Sequence, residues 1–153
     1  RVGRYVLGVG DPDTGALLAS VLAGRGVAAA VVCGHDGTDE VVTTGETTVW
    51  WVRDGGVHPG VLNPGDVGLA PVDAGVLTGG DPARNAEVAH DIFSGNPGPV
   101  ADLVAVNAGV GLVVAGVADN PIEGFDAATG ALRSGAAAER LAALIRLGST
   151  LTS

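Results

Sequence analysis

Two β-rich runs, Arg4 to Val9 and Val27 to Cys33, are separated by a single helix-length segment, and that spacing constrains the fold more than any other feature of the chain. The first run is bounded by glycines. Asp11-Pro12 then places a capping side chain before a proline suited to the first helical position. Leu17, Leu18, Val21 and Leu22 repeat on one helical face, and Gly24 and Gly26 supply the stop. The second run is apolar throughout, the pattern of a strand buried on both faces. Strand, helix and strand within about thirty residues make a βαβ unit, whose two strands lie parallel on either side of a crossover. Ligands of such sheets collect beyond the carboxyl ends of the strands.

Past that unit, Thr47 to Val52 predicts a further strand, Asp54-Gly55 a hairpin turn, and Val57 a short return. Asn63-Pro64-Gly65 breaks the chain. Asp81-Pro82 predicts a helix reaching Phe93, which stops at Gly95-Asn96-Pro97-Gly98 before the chain restarts at Pro99. Leu103 to Val117 contains Asn107 and is too short to span a bilayer, so it reads as a buried helix. Two more helices, Ile122 to Arg133 and Ala136 to Leu147, close the chain. The expected fold class is therefore α/β, a mainly parallel sheet with a crossover helix and a helical C-terminal cover, with residues 1–153 forming one domain.

Aromatic residues are only 3% of the chain against 26 glycines, so the core must be built from Val, Leu and Ala in close-packed layers. The formal charge is −9 and the basic side chains, all arginine, are scattered; nothing resembles the electrostatic footprint of a nucleic-acid binder. An acidic chain that binds a phosphorylated substrate needs a divalent cation between its carboxylates and the phosphates. The single cysteine, Cys33, excludes an internal disulfide framework and points to a reducing compartment, the cytoplasm. It has no catalytic partner in the sequence and reads as a small buried hydrophobe. The chain begins at Arg1 and contains no methionine, as expected of a processed, excised or fragment start.

At the end of the second strand the chain reads Cys33-Gly34-His35-Asp36-Gly37-Thr38-Asp39-Glu40. Two readings fit. Asp36-Gly37 is turn chemistry, and in the first reading the whole cluster is a solvated turn; in the second its carboxylates coordinate Mg²⁺, a hard cation that prefers carboxylate, water and phosphate oxygens. Gly8-Val9-Gly10 with Gly15 lacks dinucleotide-binding spacing and carries Asp13 where a pyrophosphate would be repelled, so it reads as a plain capped βα turn. In Leu77-Thr78-Gly79-Gly80-Asp81 the last residue serves as an N-cap and Pro82 removes an amide; a loop-to-helix junction is expected rather than an anion site. His58 and His90 have no metal-ligand spacing.

Several of these pieces, in order, resemble one family. They are Gly34-x-Asp36-Gly37-x-Asp39-Glu40, Thr47-Thr48-Val49-Trp50, Asp66-x-Gly68-Leu69, Leu77-x-Gly79-Gly80-Asp81 with Asn85-Ala86, Gly98-Pro99-x2-Asp102 with Asn107-Ala108, and Ser134-Gly135-Ala136-Ala137. Across nearly the whole chain they are similar to the C-terminal half of the anthranilate phosphoribosyltransferases. Four positions depart from the usual pattern of that family: Cys33 stands for His, Thr38 for Leu, Trp51 for Glu and Ala101 for Arg.

The resemblance implies the large domain of a two-domain enzyme of tryptophan biosynthesis. That enzyme transfers the 5-phosphoribosyl group of phosphoribosyl diphosphate (PRPP) to the amine of anthranilate, with Mg²⁺ as cofactor. It implies Asp39 and Glu40 as the metal-binding pair. It assigns no catalytic residue to this chain and leaves substrate-binding residues unidentified, because the helical N-terminal domain, the donor-binding loop and the dimer contacts belong to the other half. A chain of this kind is expected to be inactive without its N-terminal segment and homodimeric when complete. Two rivals share the fold: a nucleoside phosphorylase or phosphoribosyltransferase with another acceptor, and a non-catalytic homologue acting as a binding module.

Overall fold

A computed structural model describes residues 3–151. Strand β1 (Arg4–Gly8) leads through α1 (Pro12–Gly24) into β2 (Ala28–Gly34), and the two strands pair in parallel from Arg4 opposite Ala28 to Gly8 opposite Val32. The Asp11 carboxylate accepts the amides of Asp13 and Thr14 at 3.0 and 3.2 Å, which satisfies two donors that the first helical turn leaves open. β3 (Thr47–Arg53) and β4 (Gly56–Leu62) complete a sheet of order β1-β2-β3-β4. The α/β class, the crossover helix and the helical cover are as expected, but the sheet is mixed rather than mainly parallel. Only β1–β2 is parallel; β2–β3 and β3–β4 are antiparallel. The reason lies in the connections. After β2 the chain turns back through a loop instead of a second crossover helix, and Asp54 and Gly55, at φ 52° and 73°, reverse it again in the paired left-handed geometry of a tight hairpin. The return is longer than expected, and Pro59 marks it as an edge strand because proline cannot donate to a further ladder.

Each face of the sheet carries its own core. Ala30 and Val32 of β2 enter a cluster with Val49, Ala105, Val106, Val110, Phe125, Ala128 and Leu132, while Ala29, Val31 and Cys33 enter another with Ala19, Leu22, Trp50 and Val52. Successive residues of a strand point to opposite faces, so a strand covered on both sides must be apolar without alternation. That is how the second run reads in the sequence. Cys33 is buried, and burial, with smaller contributions from the charges of Asp11 and Asp36, raises its thiol pKa above the ordinary value. The thiolate is the reactive form. At neutral pH a thiol reagent should therefore label Cys33 only as fast as the chain unfolds; rapid labelling of the folded protein without urea would contradict this placement.

The cover is α2 (Pro82–Phe93), α3 (Pro99–Ala115), α4 (Pro121–Arg133) and α5 (Ala136–Leu151), reached through two short 3-10 helices at Pro64–Val67 and Ala74–Leu77. Asp81 caps α2 by accepting the Arg84 amide at 2.8 Å, and Asn120 caps α4 by accepting that of Glu123 at 3.0 Å. α5 runs beyond Leu147, where the sequence reading ends it. The apolar segment around Asn107 is buried on one side only: Ala105, Val106, Gly109 and Val110 are inside, whereas Val104 and Val117 are exposed. Among the described residues no helix is long and apolar enough to cross a membrane.

α3 and α4 cross with Gly109 against Gly124. A β-carbon at Gly109 would stand 2.7 Å from the Phe125 nitrogen and 2.8 Å from the Gly124 carbonyl carbon, inside contact distance of rigid backbone. Gly109→Val should consequently force the helices apart at a cost of about 1–3 kcal/mol, the usual range for overpacking. Urea unfolding would show it as a lower midpoint at unchanged slope.

Candidate functional site

β1 and β2 end side by side, and the loop that leaves β2 folds over both ends. Gly34 donates its amide to the Thr38 carbonyl at 2.8 Å, and Gly37 donates back to the Gly34 carbonyl at 3.0 Å. Gly37 sits at φ 82°, a region that glycine enters without strain. Asp36 closes the turn by accepting the Thr38 amide on Oδ1 at 3.0 Å. Hydrogen bonding from Thr38, hydroxyl first and amide second, holds the Asp36 carboxyl below the usual carboxylate range. This residue shapes its own loop. Asp39 and Glu40 differ: both are exposed, and neither side chain has a hydrogen bond or ion pair among the described residues. The structure therefore separates the three carboxylates into one used by the turn and two adjacent ones open to solvent.

The backbone that carries those two is held from several directions. Gly8, the last residue of β1, lies so close to the Asp39 carbonyl that a β-carbon on it would overlap that group. Gly10 approaches the turn less tightly; a β-carbon there would be 3.3 Å from the Gly37 carbonyl oxygen. Beyond Glu40, the amide of Val41 donates to Asn107 Oδ1 at 2.9 Å, while Asn107 Nδ2 donates to the Val41 carbonyl at 2.7 Å and to Leu103 in its own helix at 3.0 Å. The Val42 amide donates to the hydroxyl of fully buried Thr47 at 3.0 Å. Val41 and Val42 are themselves buried. An exposed pair of carboxylates thus sits on an anchored strip of chain.

The sequence reading placed Asp39 and Glu40 correctly at a strand end but missed what holds them. Gly8-Val9-Gly10 is a βα turn, as expected, with the added use that Gly8 admits the Asp39 backbone. Asn107 carried a signal, being the one polar side chain between Leu103 and Val117, where its amide must find partners. Leu77 to Asp81 forms the expected junction: Asn85 pairs with both backbone groups of Gly80, at 2.8 and 3.0 Å, and Asp81 caps α2. His58 and His90 are exposed.

Among the described residues no group of three or more His, Cys, Asp or Glu side chains converges into a metal cage. The arrangement at Asp39 and Glu40 instead suits Mg²⁺, which keeps several waters and takes one or two carboxylates together with substrate phosphate oxygens. Asp39 and Glu40 offer such an ion hard carboxylate donors, open to solvent, on an anchored backbone.

Residues 1–138 match the model of the glycosyl transferase family, a/b domain. Anthranilate phosphoribosyltransferase of a Nocardioides species is 42% identical over 143 residues, spanning 88% of this chain and 41% of that protein. The crystal structure of anthranilate phosphoribosyltransferase from Thermus thermophilus superposes with a TM-score of 0.83 at 38% identity, covering 94% of this chain and 43% of the other. The Saccharomyces cerevisiae enzyme, 27% identical, matches in its complex with PRPP and Mg at a TM-score of 0.79, covering 88% of this chain and 39% of that one. In its complex with 4-fluoroanthranilate the TM-score is 0.86, with 95% and 43% covered. The chain spans about two-fifths of the length of these relatives.

Proposed function

The chain belongs to the glycosyl transferase family, a/b domain, and from that membership we propose that it is the C-terminal part of an anthranilate phosphoribosyltransferase, most of its α/β domain, with Asp39 and Glu40 as its Mg²⁺ ligands. The observation that carries the reading is the exposed, unpartnered carboxylate pair at the joint end of β1 and β2, in a chain whose relatives include an enzyme solved with PRPP and Mg. The 4-fluoroanthranilate complex of the same relative supports anthranilate as acceptor.

In this reading the reaction breaks the bond from C1 of the ribose to diphosphate and forms one from C1 to the anthranilate nitrogen, which then loses a proton. Mg²⁺, when bound, supplies neutralisation of the charge that grows on the departing diphosphate. The work of this chain is to present two carboxylates to that ion from a backbone held in place by Gly8 and Asn107. The carboxylates at this strand end, in a chain of formal charge −9, favour a cation between the protein and the donor's phosphates. Residues 1–153 act as one incomplete α/β domain, and the donor-binding loop and the helical domain come from the N-terminal half of the complete enzyme. Cytoplasmic location is supported by the buried, unpaired Cys33, and a homodimer of the complete protein rests on the family resemblance alone.

Anthranilate is fluorescent, so its consumption can be followed directly. The complete protein should remove it only when PRPP and Mg²⁺ are both present, releasing one diphosphate per anthranilate. Absence of turnover under those conditions, or consumption of another aromatic acceptor in its place, would overturn the assignment.

A further inference from the structure

We propose that Asn107 is a positioning residue for the Asp39–Glu40 pair, acting through the backbone rather than through the ligand. The inference rests on the magnesium reading above and deepens it. The Val41 amide belongs to the peptide plane that joins Glu40 to Val41, so the hydrogen bond it donates to Asn107 orients that plane directly. The preceding plane, which joins Asp39 to Glu40, contains the carbonyl packed on Gly8. Glu40 therefore has both flanking peptide planes held, one by α3 and one by β1, and its backbone dihedrals have little freedom left.

The clamp is itself well supported. Asn107 uses its oxygen and both amide hydrogens, and the Val41 amide, which can only donate, requires the oxygen to face it. Its neighbours Ala105, Val106 and Val110 are buried in the main core, so the amide projects from a rigid element. Groups behind a metal ligand that fix its orientation commonly change metal affinity about 10- to 100-fold when lost.

The test uses the complete protein and Mn²⁺ as a spectroscopic stand-in for Mg²⁺, with PRPP present. Asn107→Leu, similar in size but unable to hydrogen bond, should raise the Mn²⁺ dissociation constant about 10-fold or more by electron paramagnetic resonance. Amide hydrogen exchange at Val41 should accelerate with it. Asn107→Asp, which keeps an acceptor for the Val41 amide but sets a carboxylate against the Val41 and Leu103 carbonyls, gives a second variant if the leucine form does not fold. A folded variant with unchanged Mn²⁺ binding, while Asp39→Asn with Glu40→Gln abolishes it, overturns the positioning role and leaves the carboxylate site standing. Unchanged binding in the carboxylate variant as well removes the site and this inference together.

Discussion

Asp39→Asn combined with Glu40→Gln in the complete protein is expected to lower kcat/KM for PRPP by about 10²- to 10³-fold at millimolar Mg²⁺, the scale on which removing a preorganised charge-stabilising group acts. The fold should not notice. Both side chains are exposed and unpartnered, so neither substitution opens a cavity or strands a buried partner, and each is worth within about 0.5 kcal/mol of stability. Removing two adjacent negative charges from a chain of formal charge −9 also relieves some self-repulsion. The informative result is the combination: thermal unfolding unchanged, turnover collapsed, and partial recovery as Mg²⁺ is raised. Wild-type kinetics in the double variant would remove these residues from the reaction, whatever the family of the chain.

Gly8→Ala should be the most damaging single-methyl addition at the site. The new carbon would occupy the place of the Asp39 carbonyl, so one of two backbones must move. β1 resists, because Gly8 pairs with Val32 and the next residue, Val9, donates its amide to the Val32 carbonyl at 3.0 Å. The other side resists as well, through Asn107 on Val41 and Thr47 on Val42. We expect a stability loss of about 1–3 kcal/mol. Displacement of the Asp39–Glu40 backbone should also lower turnover about 10²-fold, as misplacement on the order of 1 Å does in preorganised sites. Gly10→Ala is the matched control: its β-carbon would meet the Gly37 carbonyl oxygen at 3.3 Å, a contact that a shift of a few tenths of an ångström relieves. If Gly8→Ala is as stable and active as Gly10→Ala, the close approach does not position the carboxylates.

How much of this was legible in the sequence depended on the range of the interaction concerned. α1 announces itself through Asp11-Pro12 and the leucines that follow, α2 through Asp81-Pro82, and the hairpin through Asp54-Gly55, because caps and turns are decided by residues a few positions apart. The unbroken apolar run of β2 likewise revealed a strand covered on both faces. What misled was the inference from one parallel pair to a mainly parallel sheet. Nothing between Gly34 and Thr47 has helical periodicity, and a loop without a crossover helix returns the chain antiparallel.

The sequence by itself determined the element order, the helix starts, the class of fold and the three carboxylates at a strand end, since each follows from local chemistry or from a pattern along the chain. Only the tertiary structure decided which carboxylates are free. Asp36 is consumed by the Thr38 amide within its own turn, while Asp39 and Glu40 are left open on a strip held by Gly8, thirty-one residues before Asp39, and by Asn107, sixty-six residues after Val41. Contacts of that range depend on how β1, β2 and α3 pack together, and no local spacing encodes them.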